Sequence, residues 1–181
     1  MDLERIASLK SLVRTGWMQR GVPPSIGETV AAHSFEAAVI AYYLASELQR
    51  RGIKVDPYKS SVLALFHDVG EAILGDIPKW TTDRLGIKKR ELEEQANGLL
   101  GTGEVFREYK ESNSIEAKIA KLSDRLSTLL QAYRYSKLGY DVDEIIESYE
   151  REIDALVSDM PELKELTEKV KTNIKGNRKD Y

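Results

Sequence analysis

The sequence predicts an all-α protein, a compact bundle of roughly six to nine helices. Apolar residues recur at spacings of three and four along almost the whole chain, which is the period of an amphipathic helix. No segment shows the alternation of apolar and polar residues that is typical of a half-buried strand. Glycine and proline punctuate the pattern and divide the 181 residues into segments of helix length.

The first half of the chain contains two clear helical segments and the start of a third. A helix is predicted over residues 3–13. Its apolar stripe consists of Leu3, Ile6, Leu9, Leu12 and Val13. A second helix is predicted over residues 29–50, which contain neither glycine nor proline. The apolar residues 62–66 then lead directly into His67 and Asp68, so a further helix should carry a buried face that ends in two polar side chains.

The second half begins with a helix start signal at Asn113, which is followed three residues later by Glu116. This helix is predicted to reach Lys137, with Gly139 as its stop. Its apolar stripe consists of Ile115, Ile119, Leu122, Leu126, Leu129 and Tyr133.

The chain ends with two further predicted helices, over residues 142–157 and 161–174, the second with a proline in its first turn. Residues 175–181 are polar, and we expect them to form a frayed tail. With 41% hydrophobic residues, the chain is long enough for one well-formed core. It is too short to argue for two cores, so we expect a single domain over residues 1–174.

Composition excludes several classes of partner and site. The 27 basic and 30 acidic residues give a net charge of -3, so a nucleic acid polymer is not expected as a partner. The absence of cysteine excludes disulfides and thiolate metal sites. No apolar run approaches the roughly 20 residues that cross a bilayer, and residues 1–5 lack the pattern of a leader. We therefore expect no membrane association and a cytoplasmic location.

Histidine chemistry can occur at only two places, His33 and His67. Within the helix predicted over residues 29–50, His33 shares its side with apolar residues and should point into the protein. Asp68 follows His67 directly, and burying its carboxylate is expensive unless a cation or strong donors compensate the charge. This neighbourhood indicates a metal site, although each histidine can also be an ordinary core residue.

Two further carboxylates follow this pair closely in the sequence. Glu71 lies four residues beyond His67 and three beyond Asp68, which on a helix is the same surface and suits a base that activates water. It can also be a solvated helix carboxylate. Asp76 lies within residues 75–78 and would ordinarily be a turn residue.

The order of these residues resembles the H…HD…D signature of the HD-domain metal-dependent phosphohydrolases. His33 corresponds to the first histidine, His67 and Asp68 to the pair, and Asp124 to the downstream aspartate. Four sequence blocks are similar to the 5′-deoxynucleotidase branch of this family, and the resemblance covers residues 9–135. The blocks are Arg14-Thr15-Gly16-Trp17, Glu28-Thr29-Val30-Ala31-Ala32-His33-Ser34, His67-Asp68-Val69-Gly70-Glu71 and Gly75-Asp76-Ile77-Pro78.

The resemblance implies one divalent cation that is held by two imidazoles and two carboxylates. The implied ligands are His33, His67, Asp68 and Asp124. Such a set accepts Mn²⁺, Co²⁺, Fe²⁺, Ni²⁺, Zn²⁺ or Mg²⁺. Asp124 is assigned as a ligand only through the resemblance. Helical phase puts it opposite the stripe that contains Leu122, so the sequence pattern alone would make it a surface residue.

The resemblance also implies roles for residues around the cation. Glu71 would orient and deprotonate the attacking water, and Asp76 would lie near the leaving 5′ oxygen or a sugar hydroxyl. Arg14 is the candidate phosphate clamp, Trp17 could stack on a sugar or base, and Lys79 is a candidate secondary phosphate contact. These last three residues also have plainer interpretations: a solvated charge at a helix end, a core residue and a surface residue, respectively.

The implied activity is hydrolysis of deoxynucleoside 5′-monophosphates, small-molecule nucleotides, to deoxynucleoside and phosphate. One alternative is an HD phosphohydrolase that acts on another nucleotide ester, such as a triphosphate, a cyclic nucleotide or an alarmone. A catalytically silent metal-binding regulatory domain and a metal-free helical interaction module are further alternatives. We expect a homodimer, since amphipathic terminal helices often self-associate and two-fold dimers are the commonest soluble oligomers.

Overall fold

The computed structural model describes residues 1–158 and 160–176, and these residues form eleven α-helices and no strand. The helices are α1 (Leu3–Ala7), α2 (Thr15–Met18), α3 (Val30–Arg50), α4 (Pro57–Phe66), α5 (Glu71–Leu74), α6 (Lys79–Leu85), α7 (Ile87–Leu100), α8 (Gly103–Glu111), α9 (Ile115–Lys137), α10 (Asp143–Val157) and α11 (Pro161–Gly176). The all-α prediction is confirmed. Seven of these helices have nine or more residues, whereas the four short ones span too few turns to produce a detectable hydrophobic period.

The helix predicted over residues 3–13 is wrong in its second half. The α-helix ends at Ala7, a 3₁₀ turn follows, and Val13 pairs with Thr29 in an isolated antiparallel β-bridge. Leu3, predicted to lie on the buried stripe, is 69% exposed, whereas Leu9 is buried. The backbone N–H groups of Arg14 and Val30 donate hydrogen bonds to the carbonyls of Glu28 and Leu12. The backbone of this segment is therefore paired with the start of α3 and not along a continuing helix.

The longer helices follow their predicted bounds closely. Thr29 caps α3, and α9 ends at Lys137, shortly before Gly139 at φ +91°. The start of α9 differs by one residue, because Ser114 rather than Asn113 accepts the capping hydrogen bond from a backbone N–H.

The side chain expected to complete the predicted cap has another partner. The Glu116 carboxylate accepts a hydrogen bond from the backbone N–H of Asp56, at 3.0 Å, so it is committed to the start of α4. At the other end of the chain, α10 begins one residue later than predicted. Helix α11 continues to Gly176, into the predicted polar tail, and residues 177–181 lie outside the described residues.

The long helix α9 is the centre of the fold. It contacts α3, α4, α8, α10 and α11. Its apolar stripe is buried, but so are residues on the opposite side, including Ala120, Asp124 and Thr128. Asp124 is only 5% exposed, so the surface position that helical phase alone suggested for it is wrong. A helix with neighbours on several sides buries more than one face.

The main core lies where α3, α4 and α9 pack together. Its largest buried side chains include Leu44, Leu48, Ile119, Leu122 and Leu126. Because these three helices are fixed against one another by a continuous apolar core, polar side chains at their contact are held in position. Among the described helices, none combines the length and the apolar character that a membrane crossing requires.

Candidate metal centre

The four predicted metal ligands lie on, or directly follow, the three helices of the main core. His33 lies in the first turn of α3, His67 is the C-cap residue of α4, and Asp124 lies in the middle of α9. Asp68 follows His67 in the turn between α4 and α5. Helix α4 therefore ends next to this pair, and both side chains reach the same point.

The nitrogen and oxygen atoms of these residues converge. The two Nε2 atoms of His33 and His67 lie 3.3 Å apart. Asp124 Oδ1 lies 3.3 Å from His33 Nε2 and 3.6 Å from His67 Nε2. Asp68 Oδ2 lies 2.9 Å from His67 Nε2 and 3.9 Å from His33 Nε2. The structure thus brings all four predicted ligands together, and His33, His67 and Asp124 meet the spacing of a metal-binding group.

The donor atoms fit a cation. His67 Nδ1 lies 2.6 Å from the Ala64 carbonyl oxygen, so this nitrogen carries the proton and Nε2 presents a lone pair towards His33. His33 Nδ1 is buried and has no hydrogen-bond partner within the described residues. Two imidazole nitrogens and two carboxylate oxygens that face one another repel unless positive charge lies between them. A single divalent cation satisfies this arrangement.

The pKa values of the residues in the site also indicate that positive charge is favourable there. Burial would lower the pKa of His67, but the carboxylates of Asp68 and Asp124 outweigh burial and raise that pKa well above its usual value. Burial and the positive charge of Arg14 lower the pKa of His33. Burial would raise the pKa of Asp124, but Arg125 and His67 hold it well below its usual value. Both carboxylates in the site are therefore ionised and ready to bind a cation.

Tyr109 orients Asp124, and the sequence analysis did not identify it. The buried Tyr109 hydroxyl donates a hydrogen bond to Asp124 Oδ2 at 2.6 Å, and the Arg125 guanidinium donates to the same oxygen. These bonds leave Oδ1 to face the two imidazoles. No motif could have indicated this residue, because a tyrosine on the apolar side of α8 looks like a core residue.

Glu71 begins α5 and lies beside the metal ligands. With His67 and Asp68 it lines a cavity of about 10 Å³, close to the space of one water molecule. Its Oε2 atom is buried and has no hydrogen-bond partner within the described residues. Burial and the negative charges of Asp68 and Asp76 raise the pKa of Glu71 well above its usual value. A carboxylate with an open lone pair and an elevated pKa is suited to accept a proton from water.

Arg14 lies at the site rather than in solvent. Its guanidinium donates to Thr128 Oγ1 at 3.1 Å and lies 3.5 Å from Glu28 Oε2. Burial opposes its charge, but Glu28 and, to a lesser degree, Asp68 and Asp124 raise the pKa of Arg14. The β-bridge that ends the first helical segment early is what places this arginine next to Glu28.

Glu28 holds two of the predicted substrate-binding residues at once. The same Oε2 atom that lies near Arg14 accepts a hydrogen bond from Trp17 Nε1 at 2.9 Å. Its backbone N–H donates to the Tyr135 hydroxyl at 2.8 Å. Glu28 lies in one of the four blocks that carry the family resemblance. That position was the only feature of the sequence that could have indicated a role for Glu28 in the site.

The other two predicted substrate-binding residues contact neighbouring parts of the fold. Trp17 is 3% exposed and packs edge-on against Tyr135, in a core cluster. Lys79 forms an ion pair with Glu152 and donates to Ser148 Oγ at 3.0 Å. Substrate contacts by Trp17 and Lys79 stay predictions.

Asp76 connects the turn before α6 to the start of α2. Its carboxylate accepts a hydrogen bond from the backbone N–H of Thr15, and its carbonyl oxygen accepts one from the Thr15 hydroxyl at 2.9 Å. This contact fixes the position of the segment that carries Arg14. Its predicted proximity to the leaving oxygen stays a prediction.

Fold and site together define a metal-dependent phosphohydrolase. Residues 6–164 match the HD domain family, and the chain belongs to this family. The chain is 32% identical to 5′-deoxynucleotidase HDDC2 of Dictyostelium discoideum, with 75% of this chain and 76% of the other covered. It is 29% identical to 5′-deoxynucleotidase HDDC2 of Homo sapiens, over 82% of this chain and 73% of the human protein.

Solved structures show the same fold. A conserved hypothetical protein from Pyrococcus furiosus is similar with a TM-score of 0.82 and 32% identity, over 93% of this chain and 96% of the other. A protein from Pyrococcus horikoshii is similar with a TM-score of 0.78 and 33% identity, over 93% and 97% of the two chains. The family resemblance of the sequence is thereby confirmed.

Proposed function

We propose that this phosphohydrolase is a 5′-deoxynucleotidase, which hydrolyses deoxynucleoside 5′-monophosphates to deoxynucleoside and inorganic phosphate. The observation that carries the proposal is the convergence of His33, His67, Asp68 and Asp124, with Glu71 and Arg14 beside them. The names of the relatives support the choice of substrate class.

Residues of this chain would bind the phosphate and transfer the protons of the reaction. A divalent cation, when bound, would withdraw electrons from the phosphate and make water a better proton donor. Arg14 binds the phosphate oxygens and compensates their charge. Glu71 accepts a proton from the attacking water as the new bond from oxygen to phosphorus forms. As the bond from phosphorus to the 5′ oxygen breaks, the leaving oxygen, near Asp76, takes a proton from solvent and departs as the alcohol. Glu71 then releases its own proton to solvent, which restores the carboxylate.

The alternatives explain fewer of these features. A purely structural metal would need neither the Glu71 carboxylate, whose Oε2 atom is buried without a partner within the described residues, nor the half-buried Arg14 guanidinium, and each is costly to remove from water. An interaction module without metal would have no use for four ligand-type groups that converge on one point. If the substrate is another phosphate ester, phosphate release from a panel of nucleotides reveals it.

The test is phosphate release from a panel of nucleotides by the protein loaded with Co²⁺ or Mn²⁺. The panel pairs each deoxynucleoside 5′-monophosphate with its ribonucleotide, and adds deoxynucleoside 3′-monophosphates, triphosphates and cyclic nucleotides. We expect release from the 5′-deoxy monophosphates, with Asp68→Ala inactive. Release from triphosphates or cyclic nucleotides alone, with metal bound, would assign the site to a different ester and refute the proposal.

We further propose that residues 1–174 form one domain, and that the protein is a homodimer in the cytoplasm. The continuous core of α3, α4 and α9 supports the first of these statements. Light scattering is the measurement for the dimer, and a monomer at micromolar concentration would contradict it.

A further inference from the structure

Helix α10 presents two polar side chains beside the metal centre. Tyr149 and Glu152 lie three residues apart and therefore on the same side of this helix. The Glu152 carboxylate pairs with Lys79, from the start of α6, and accepts a hydrogen bond from Arg125 Nε at 2.8 Å. Because the Arg125 guanidinium also binds the metal ligand Asp124, α10 is connected to the metal centre through this arginine.

The Tyr149 ring is close to both of these cations. Lys79 Nζ lies 5.5 Å from the ring centroid, and Arg125 Cζ lies 5.9 Å from it. At such distances a cation is attracted to the face of an aromatic ring. The ring is half-buried and also packs against the main core. Several contacts therefore hold the ring in a defined position.

The hydroxyl end of Tyr149 lies near a third cation, Arg14. Burial opposes the charge of Arg14, but Glu28 and then Tyr149 raise its pKa, ahead of the two carboxylates of the metal centre. Asp124 raises the pKa of Arg125 most, and Tyr149 contributes there as well. A phenol acts on a neighbouring charge through its oxygen, so the hydroxyl lies close to both guanidinium groups.

The surroundings of Tyr149 are open to solvent and positively charged. The side chains of Arg125 and Lys79 are 32% and 52% exposed, so a ligand can reach the ring from solvent. These two cations share the single carboxylate of Glu152. The charge of Asp124, which also pairs with Arg125, is compensated when the metal centre holds its cation. One positive charge is therefore left to attract an anion.

The Tyr149 hydroxyl is available for a ligand. It makes no hydrogen bond within the described residues, whereas the hydroxyls of Tyr109 and Tyr135 each donate to an oxygen atom of the fold. A phenol hydroxyl can donate a hydrogen bond to a phosphate oxygen. A phosphate monoester carries about two negative charges at neutral pH, which suits the positive charge around the ring.

We propose that the Tyr149 hydroxyl is a substrate-binding group, which donates a hydrogen bond to one phosphate oxygen of the monoester while Arg14 binds another. Lys79 and Arg125 attract the phosphate and hold the ring in place. The inference rests on the proposed function, since it requires a substrate with a terminal phosphate. It adds to that function a residue of α10, a helix that carries none of the four metal ligands.

The experiment is calorimetric titration of the Co²⁺-loaded protein, freed of unbound Co²⁺, with inorganic phosphate. We expect Tyr149→Phe to raise the phosphate dissociation constant about 10-fold, because a hydrogen bond to a charged group is lost while the ring remains. Tyr133→Phe is the matched control. The Tyr133 hydroxyl donates to Glu150, the neighbour of Tyr149 on α10, so this variant disturbs the same helix without touching the proposed contact. Its phosphate affinity should equal that of the wild type.

Kinetics and metal affinity separate a substrate contact from a structural role. For Tyr149→Phe we expect KM for a deoxynucleoside 5′-monophosphate to rise about 10-fold, with a smaller change in kcat, because the hydroxyl binds the phosphate before and during the reaction. The Co²⁺ affinity should stay that of the wild type, since Tyr149 contacts none of the ligands directly.

Unchanged phosphate binding by Tyr149→Phe would overturn the inference, as would a wild type that does not bind phosphate. An equal loss in Tyr133→Phe would also overturn it, because the effect would then come from the packing of α10. A protein that binds phosphate through Tyr149 but hydrolyses no deoxynucleotide would refute the proposed function alone. Failure of the inference and failure of the proposed function are therefore distinguishable.

Discussion

Replacing Glu71 with glutamine is expected to lower turnover by about 10²- to 10⁴-fold, because a positioned general base contributes that much to rate. Glutamine keeps the size of the side chain but cannot accept the proton of the attacking water. Glu71 is not one of the four converging ligands. It lines the cavity shared with His67 and Asp68, and its Oε2 atom is buried with no hydrogen-bond partner within the described residues. The variant should therefore keep the metal content of the wild type.

The measurement is steady-state phosphate release together with metal analysis of the same samples. Glu94→Gln is the matched control, because Glu94 is a partly exposed carboxylate on α7 that pairs with Arg90 away from the ligands. Its activity should equal that of the wild type. Full activity of Glu71→Gln with metal bound would remove Glu71 from the mechanism.

Removing the hydroxyl of Tyr109 is expected to weaken metal binding by about 10- to 100-fold, the usual effect of losing a group that orients a metal ligand. In Tyr109→Phe the ring still fills its place in α8, but Asp124 Oδ2 loses its 2.6 Å hydrogen bond. Only the Arg125 guanidinium then holds Oδ2, so Oδ1 is held less firmly towards the imidazoles.

Titration of metal-stripped protein with Co²⁺ alone, in competition with a chromophoric chelator, measures this affinity without any substrate. Tyr58→Phe serves as the control, since Tyr58 is 72% exposed and does not contact the ligands. At saturating Co²⁺ the turnover of Tyr109→Phe should recover, because the hydroxyl acts only through Asp124. An unchanged affinity would show that the Arg125 guanidinium alone orients the carboxylate.

Local sequence patterns predicted the long helices because those helices bury continuous apolar stripes. Thr29 as a cap and Gly139 as a stop are local signals with a local physical cause, and α3 and α9 follow them. The segment around Val13 departed from its pattern because its backbone pairs with residues 28–30, a contact between distant parts of the chain. A short amphipathic pattern cannot reveal such a contact.

In the candidate site, too, some residues could be predicted from local sequence and others only from the assembled fold. His67 and Asp68 were recognisable because an apolar run that ends in two ligand-type residues is unusual. Asp124 could not be placed by helical phase, since burial on both sides of α9 depends on how many helices pack around it. Tyr109 and Glu28 act through hydrogen bonds that only the assembled fold brings within reach.

Phosphate release is expected to depend on a cation that the four converging ligands hold. The measurement is release from a deoxynucleoside 5′-monophosphate by metal-stripped protein, before and after Co²⁺ is restored, with Asp124→Ala treated identically. We predict no release from the stripped protein, recovery on adding Co²⁺, and neither Co²⁺ binding nor recovery for Asp124→Ala. Undiminished release after complete metal removal, or wild-type release by Asp124→Ala, would contradict this prediction.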